Sequence, residues 1–123
     1  MTPTVSLWVP DRGDIIWIDH SPSFGREIPD QHPMLVMSTK VFNRKTGIVI
    51  GFSMTHSNNN ADNPFAIRIS GPNEEVAYIL ALQPKSFDWR QRNAKPHPWG
   101  SGYEHGLKHT LQTLDTICEI CTR

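Results

Sequence analysis

The chain predicts a mainly β fold, a small twisted barrel followed by a C-terminal helix, on three observations. Five short runs rich in β-branched and aromatic residues lie between residues 14 and 82. Gly, Pro and Asn clusters separate them, leaving room only for tight turns and polar loops. After Gly102 the apolar spacing changes from strand-like to helical.

DIIWID, 14–19, follows the break at Gly13 and is the first expected strand. SPSFGREIPDQH, 21–32, is punctuated by Pro22, Gly25 and Pro29 and has no period, so it is a loop. PMLVMS, 33–38, is the second strand, with Pro33 at its first position, where no ladder hydrogen bond is lost. Asn43 to Gly47 is a turn, and IVIGFSMT, 48–55, is the third strand. HSNNNADNP, 56–64, is a polar loop. FAIRIS, 65–70, alternates apolar and polar, giving one buried face and one wet face. Gly71-Pro72-Asn73 turns the chain into VAYILAL, 76–82. Five strands joined this tightly suit a barrel. Leu107, Leu111, Leu114, Cys118 and Cys121 then make one helical stripe over about 103–119 and beyond. Ser101 is positioned to cap that helix, with Glu104 three residues on.

The 123 residues fit one domain, 1–123. Twelve basic and twelve acidic side chains give zero formal charge, which excludes a uniformly basic nucleic-acid coat. The charge is uneven: 21–56 carries +2 and 85–110 carries +3, while the stretches between and around them are negative. Lys85, Arg90, Arg92 and Lys95 fall in the second basic stretch and form a groove if folding gathers them. The opening segment lacks a basic n-region and an apolar core, and no apolar run reaches the length of a membrane span. A cytoplasmic protein without a membrane partner is the expectation.

Among candidate chemical groups, the Cys118–Cys121 pair lies near a helix end, whereas redox pairs use the positive start of a helix. Small core or interface thiols are the expected role. His105 and His109 are four apart but lack the Glu and third ligand of a zinc motif, so no metal and no cofactor are expected. His97 lies between prolines and reads as a loop residue. His20 and His56 each follow an expected strand, at a possible site mouth. The suggestive set is Arg26, Glu27, His32 and Thr55. A carboxylate and an imidazole supply general acid–base chemistry, a guanidinium forks onto phosphate, and a hydroxyl holds a phosphoryl oxygen.

Five ordered blocks give the chain a resemblance to the MazF/PemK toxins of toxin–antitoxin pairs: VPDRGDIIWID at 9–19, PSFGRE at 22–27, FNRKTG at 42–47, PFAIRIS at 64–70 and LQPKSFDWR at 82–90. The resemblance implies an SH3-like (CcdB/PemK-type) barrel that forms a homodimer and binds a cognate antitoxin. It also implies metal-independent, sequence-selective cleavage of single-stranded RNA. It places Thr55 and Glu27 at family positions, with Arg26 beside Glu27 and without a fixed family role. The Arg that precedes proline in typical members, a main catalytic residue there, is His32 here, before Pro33. Some members carry an Asp where this chain has Leu82, before Gln83. RNA would cross Lys85, Arg90, Arg92 and Lys95, with His56 at the mouth. The alternatives are a weakly active or inactive toxin-like protein that binds antitoxin or RNA, and an inhibitor of a protein target such as gyrase.

Four Trp and five Phe are more bulk than one small core readily hides, which also points to a two-fold dimer.

Overall fold

The computed structural model describes residues 8–20 and 31–119. Its framework is one curled antiparallel sheet of six strands in the order β4-β5-β3-β2-β1-β6. The strands are β1 Ile15–Asp19, β2 Gln31–Val36, β3 Ile48–Thr55, β4 Ala66–Ser70, β5 Val76–Asp88 and β6 Lys95–Pro96. Helix α1 spans Lys40–Thr46 and α2 spans Glu104–Cys118.

Alternation along β1 divides the interior into two cores. Ile15 enters a cluster with Leu35, Phe52, Met54, Ile67, Ile69, Ile79, Trp99 and Leu107. Ile16 and Ile18 point the other way, to Met34, Val36, Val49, Phe87 and Trp89. The second cluster supports the face on which the site is built.

Several expectations need correction. The stretch expected to turn at 43–47 is a helix. Thr39 accepts the Phe42 N–H at its start, and Gly47 closes it at φ 76°. The signal for this helix is tertiary: Asn43 is fully buried, and its Nδ2 donates to the Pro10 and Ser38 carbonyls at 2.8 and 3.2 Å. Ser38 Oγ donates to Asn43 Oδ1 at 2.5 Å, and the Trp89 indole donates to the Asn43 carbonyl at 2.8 Å. Truncating Asn43 to alanine strands several of these groups away from water. Asn43→Ala should therefore lower stability by about 3 kcal/mol in urea unfolding with an unchanged slope. A loss under about 1 kcal/mol would contradict that network.

Strand β2 begins before Pro33, which sits opposite Trp17 of β1. Pairing of β2 with β3 starts only at Met34, opposite Ser53. Pro33 is thus at a locally one-sided position of the ladder, where its missing N–H is tolerated. As a result His32 lies in a strand and not in the preceding loop. Strand β5 runs on to Asp88, because its second half continues to pair with β3 beyond an irregularity between Phe52 and Met54. The short strand β6 had no sequence signal.

Helix α2 does not use Ser101 as a cap; Tyr103 occupies that position without a side-chain bond. Its buried residues are Gly106, Leu107 and Thr110, with Leu114 packed partly on the core. Leu111 and Cys118 of the expected stripe are exposed, and Cys121 lies outside the described residues. Close approach explains the shift. A Cβ at Gly106 would meet Ile69 and Ile79 at 3.1 and 3.2 Å, and Thr110 satisfies its hydroxyl on the Gly106 carbonyl at 2.8 Å. Gly106 and Thr110 allow the close approach, and Leu107 packs beside them into the core.

Trp89, Trp99, Phe52 and Phe87 are buried in the two cores, and Trp8 and Trp17 are half-buried. The exposed apolar side chains are instead Val41, Phe42, Phe65, Leu82, Leu111 and Ile117.

Candidate functional site

Where β1, β2 and β3 end together, His20, His32, Ser53, Met54, Thr55, Leu80 and Gln83 line a pocket of about 210 Å³. The register explains the gathering. His32 is opposite Ile18 on β1, two residues before His20, and Met34 is opposite Ser53 on β3. The His20 and His32 rings meet edge to face at 5.3 Å. Thr55, Leu80 and Gln83 also line an adjoining pocket of about 280 Å³ with Asn60, Asn63, Phe65 and Leu82. The two form a trough that passes Thr55.

The Thr55 hydroxyl accepts the Ser57 N–H at 3.1 Å and keeps its own proton for donation. His20 is held at both ring nitrogens, Nδ1 on the Ile18 carbonyl at 3.1 Å and Nε2 on Ser53 Oγ at 2.8 Å. Burial pushes its pKa below the ordinary 6.5, the Ile18 hydrogen bond opposes this, and His32, Lys85 and Arg92 lower it further. His97 is also lowered by burial, with a smaller contribution from His56.

The expected basic residues separate. Arg92 stacks over the Phe87 ring at 4.3 Å, and that ring lies 5.3 Å from His20. Lys85 acts electrostatically on the same imidazole. Arg90 instead covers Trp89 at 4.4 Å and donates to the Arg44 carbonyl at the end of α1. Lys95 is exposed on β6, opposite Trp17. His56 stacks with His97 and meets Trp99, beside the first core cluster. Arg90, Lys95 and His56 therefore do not line the trough. Arg26 and Glu27 lie outside the described residues. His97 is a structural group: its Nδ1 accepts the Trp99 N–H at 3.0 Å.

Ser53 is the member that sequence reasoning missed, and His20 was placed at a possible site mouth but not joined to it. A serine within an apolar strand and a lone histidine after another carry no joint signal until the strands pair. Among the described residues, no group of three metal-ligating side chains converges.

The fold and trough define a small β-sheet protein with a polar, histidine-lined site beside basic side chains. The chain belongs to the PemK-like, MazF-like toxin family of type II toxin–antitoxin systems, whose model matches residues 11–117. It is 39% identical over 90 residues to the endoribonuclease toxin MazF of Escherichia coli K12, covering 73% of this chain and 78% of that protein. Crystal structures of MazF and of a MazE–MazF complex from Deinococcus radiodurans superpose with TM-scores of 0.76 and 0.75. Their identities to this chain are 25% and 26%, each comparison covering 92% of this chain and 98–99% of the other.

Proposed function

We propose that this chain is the toxin of a toxin–antitoxin pair and cleaves single-stranded RNA at selected sequences without a metal. The observation that carries the reading is the convergence of His32 and Thr55 on one trough, with Lys85 and Arg92 at its side. Cleavage proceeds by attack of the ribose 2′-oxygen on the adjacent phosphorus, while the bond from phosphorus to the 5′-oxygen breaks. A base takes the 2′-OH proton, and an acid protonates the 5′-oxygen as it leaves. The products are a 2′,3′-cyclic phosphate and a 5′-hydroxyl. His32 fills one proton-transfer role and Glu27 the other, while Thr55 and Arg26 hold the phosphate. Lys85 and Arg92 draw the backbone toward the trough, and Arg90, Lys95 and His56 contact RNA farther from it.

The relationship to MazF and its complexes with MazE supports a cognate antitoxin as partner. A homodimer follows the same relationship, and exposed Leu82, Phe65, Leu111 and Ile117 supply apolar surface for such contacts. Among the described residues no helix is long and apolar enough to cross a membrane. We place the protein in the cytoplasm, where its substrate is.

Purified protein incubated with a long unstructured RNA and excess EDTA should yield discrete fragments ending in cyclic phosphate. Uncut RNA in EDTA that is cut once a divalent cation is restored would refute the mechanism. RNA left intact in both conditions would refute the activity.

A further inference from the structure

We propose that His20 and Ser53 act as one positioning unit in this site, the imidazole taking the Ser53 proton so that the serine oxygen faces the pocket only as an acceptor. The inference rests on the RNA-cleaving function proposed above and adds to it the group that receives the ribose hydroxyl.

The Ile18 carbonyl has no proton to give, so Nδ1 of His20 must be the donor in their 3.1 Å contact. In a neutral ring Nε2 is then an acceptor, and the 2.8 Å contact with Ser53 is donated by the serine. A hydroxyl carries one proton. Once it is committed to His20, the remaining capacity of Ser53 is its lone pairs.

Ser53 is 3% exposed and lines the pocket with Thr55. Two hydroxyls two residues apart on β3 thus present opposite polarity. Thr55, already an acceptor from Ser57, offers a proton suited to a phosphoryl oxygen. Ser53 offers lone pairs, which repel phosphate and attract a donor. On RNA, the donor beside the scissile phosphate is the 2′-OH, the group that must be oriented for attack.

The surroundings keep His20 neutral. His32 faces it from β2, Lys85 from β5 and Arg92 from the turn after β5, and all disfavour a second positive charge. Asp19 precedes it on β1, with its carboxylate engaged by Asn93 at 3.1 Å. Protonation would make Nε2 a donor, reverse the Ser53 hydrogen bond and free the serine proton, so that Ser53 would no longer face the pocket only as an acceptor. The folded imidazole is less basic than the unfolded one, so its stabilising contribution is complete above about pH 6.5 and declines as pH falls through the folded value.

The test compares wild type with Ser53→Ala, His20→Phe, the double variant and His20→Gln, whose amide oxygen can accept from Ser53 without titrating. Single-turnover cleavage of one RNA should slow by about 10-fold in Ser53→Ala and in His20→Phe, the loss of one oriented neutral hydrogen bond. The double variant should be no slower than either single variant. His20→Gln should stay near the wild-type rate at neutral pH. Its rate and melting temperature should fall less than those of wild type on acidification below about pH 6.5. Wild-type speed in Ser53→Ala, or losses that multiply in the double variant, would overturn the unit. Nitrogen-15 NMR of the imidazoles supplies a readout independent of cleavage. His20 should show its proton on Nδ1, and its titration midpoint should rise in Ser53→Ala. A proton on Nε2 at neutral pH would overturn the proposal. Failure of wild type to cut any RNA would instead overturn the proposed function, and the NMR tautomer would still decide whether Ser53 faces the pocket as an acceptor.

Discussion

Replacing His32 with alanine should slow RNA cleavage by roughly 10²-fold or more, as for the loss of a general acid or base. His32 stands where the family resemblance leads one to expect a guanidinium, and it lines the pocket with Thr55 and Ser53. A guanidinium is always charged and grips phosphate through a planar fork, whereas an imidazole changes charge near neutrality and offers one or two donors. Cleavage should therefore respond to pH more than in an Arg-bearing relative, whose guanidinium stays charged. His32→Arg should flatten that profile and restore family-like phosphate binding, provided the pocket is otherwise intact. Thr55→Ala should cost less than His32→Ala, because it removes one uncharged hydrogen bond. Product formation by wild type and the His32 variants on a single RNA, across pH, checks this. An unchanged His32→Ala rate with a flat pH profile would refute the proton-transfer role. Activity appearing only in His32→Arg would mean that His32 fills space and the wild-type protein is a binder.

Phe52→Ala should be the most damaging core truncation, costing about 3–5 kcal/mol through lost burial and the cavity left behind. Phe52 is fully buried, opposite Leu35 on β2 and Pro84 on β5. It lies in the cluster that joins β1, β2, β3, β4, β5 and α2 around one interior. The site depends on the same strands, since Ser53 and Thr55 follow directly on β3 and His32 comes from β2. For a domain of this size the melting temperature should drop by about 10–20 °C. Val41→Ala is a useful control, because Val41 is 56% exposed and its truncation should change stability by about 0.5 kcal/mol or less. A drop under about 3 °C for Phe52→Ala would show that this cluster is not the structural centre.

Much of the β framework is legible along the chain because strand burial has a local period. The alternation in 65–70, the β-branched run in 48–55 and the short Gly- and Pro-bearing turns mark their elements within a residue or two. The C-terminal helix is legible for the same reason. Its contact face is not, because Gly106 and Thr110 serve close approach and self-satisfied polarity, which a hydrophobic stripe does not register. Helix α1 was also hidden. It is held by Asn43 bonding to Pro10 and Ser38 and receiving Trp89, and a sequence pattern shows only a polar residue before a glycine.

For the site, the sequence by itself determined the chemistry on offer: an imidazole before Pro33, a hydroxyl at position 55, and a surplus of positive charge between 85 and 95. Family resemblance then singled out His32 and Thr55 from other polar residues. Only the tertiary structure decided which groups share a surface. The register of β1 with β2 sets His32 beside His20, and that of β2 with β3 adds Ser53. The extension of β5 brings Lys85 to the site, while Arg90 is drawn away to Trp89 and α1. Hydrogen-bond polarity was decided at the same level. A serine can donate or accept, and His20, fixed by the Ile18 carbonyl, selects which of the two Ser53 does.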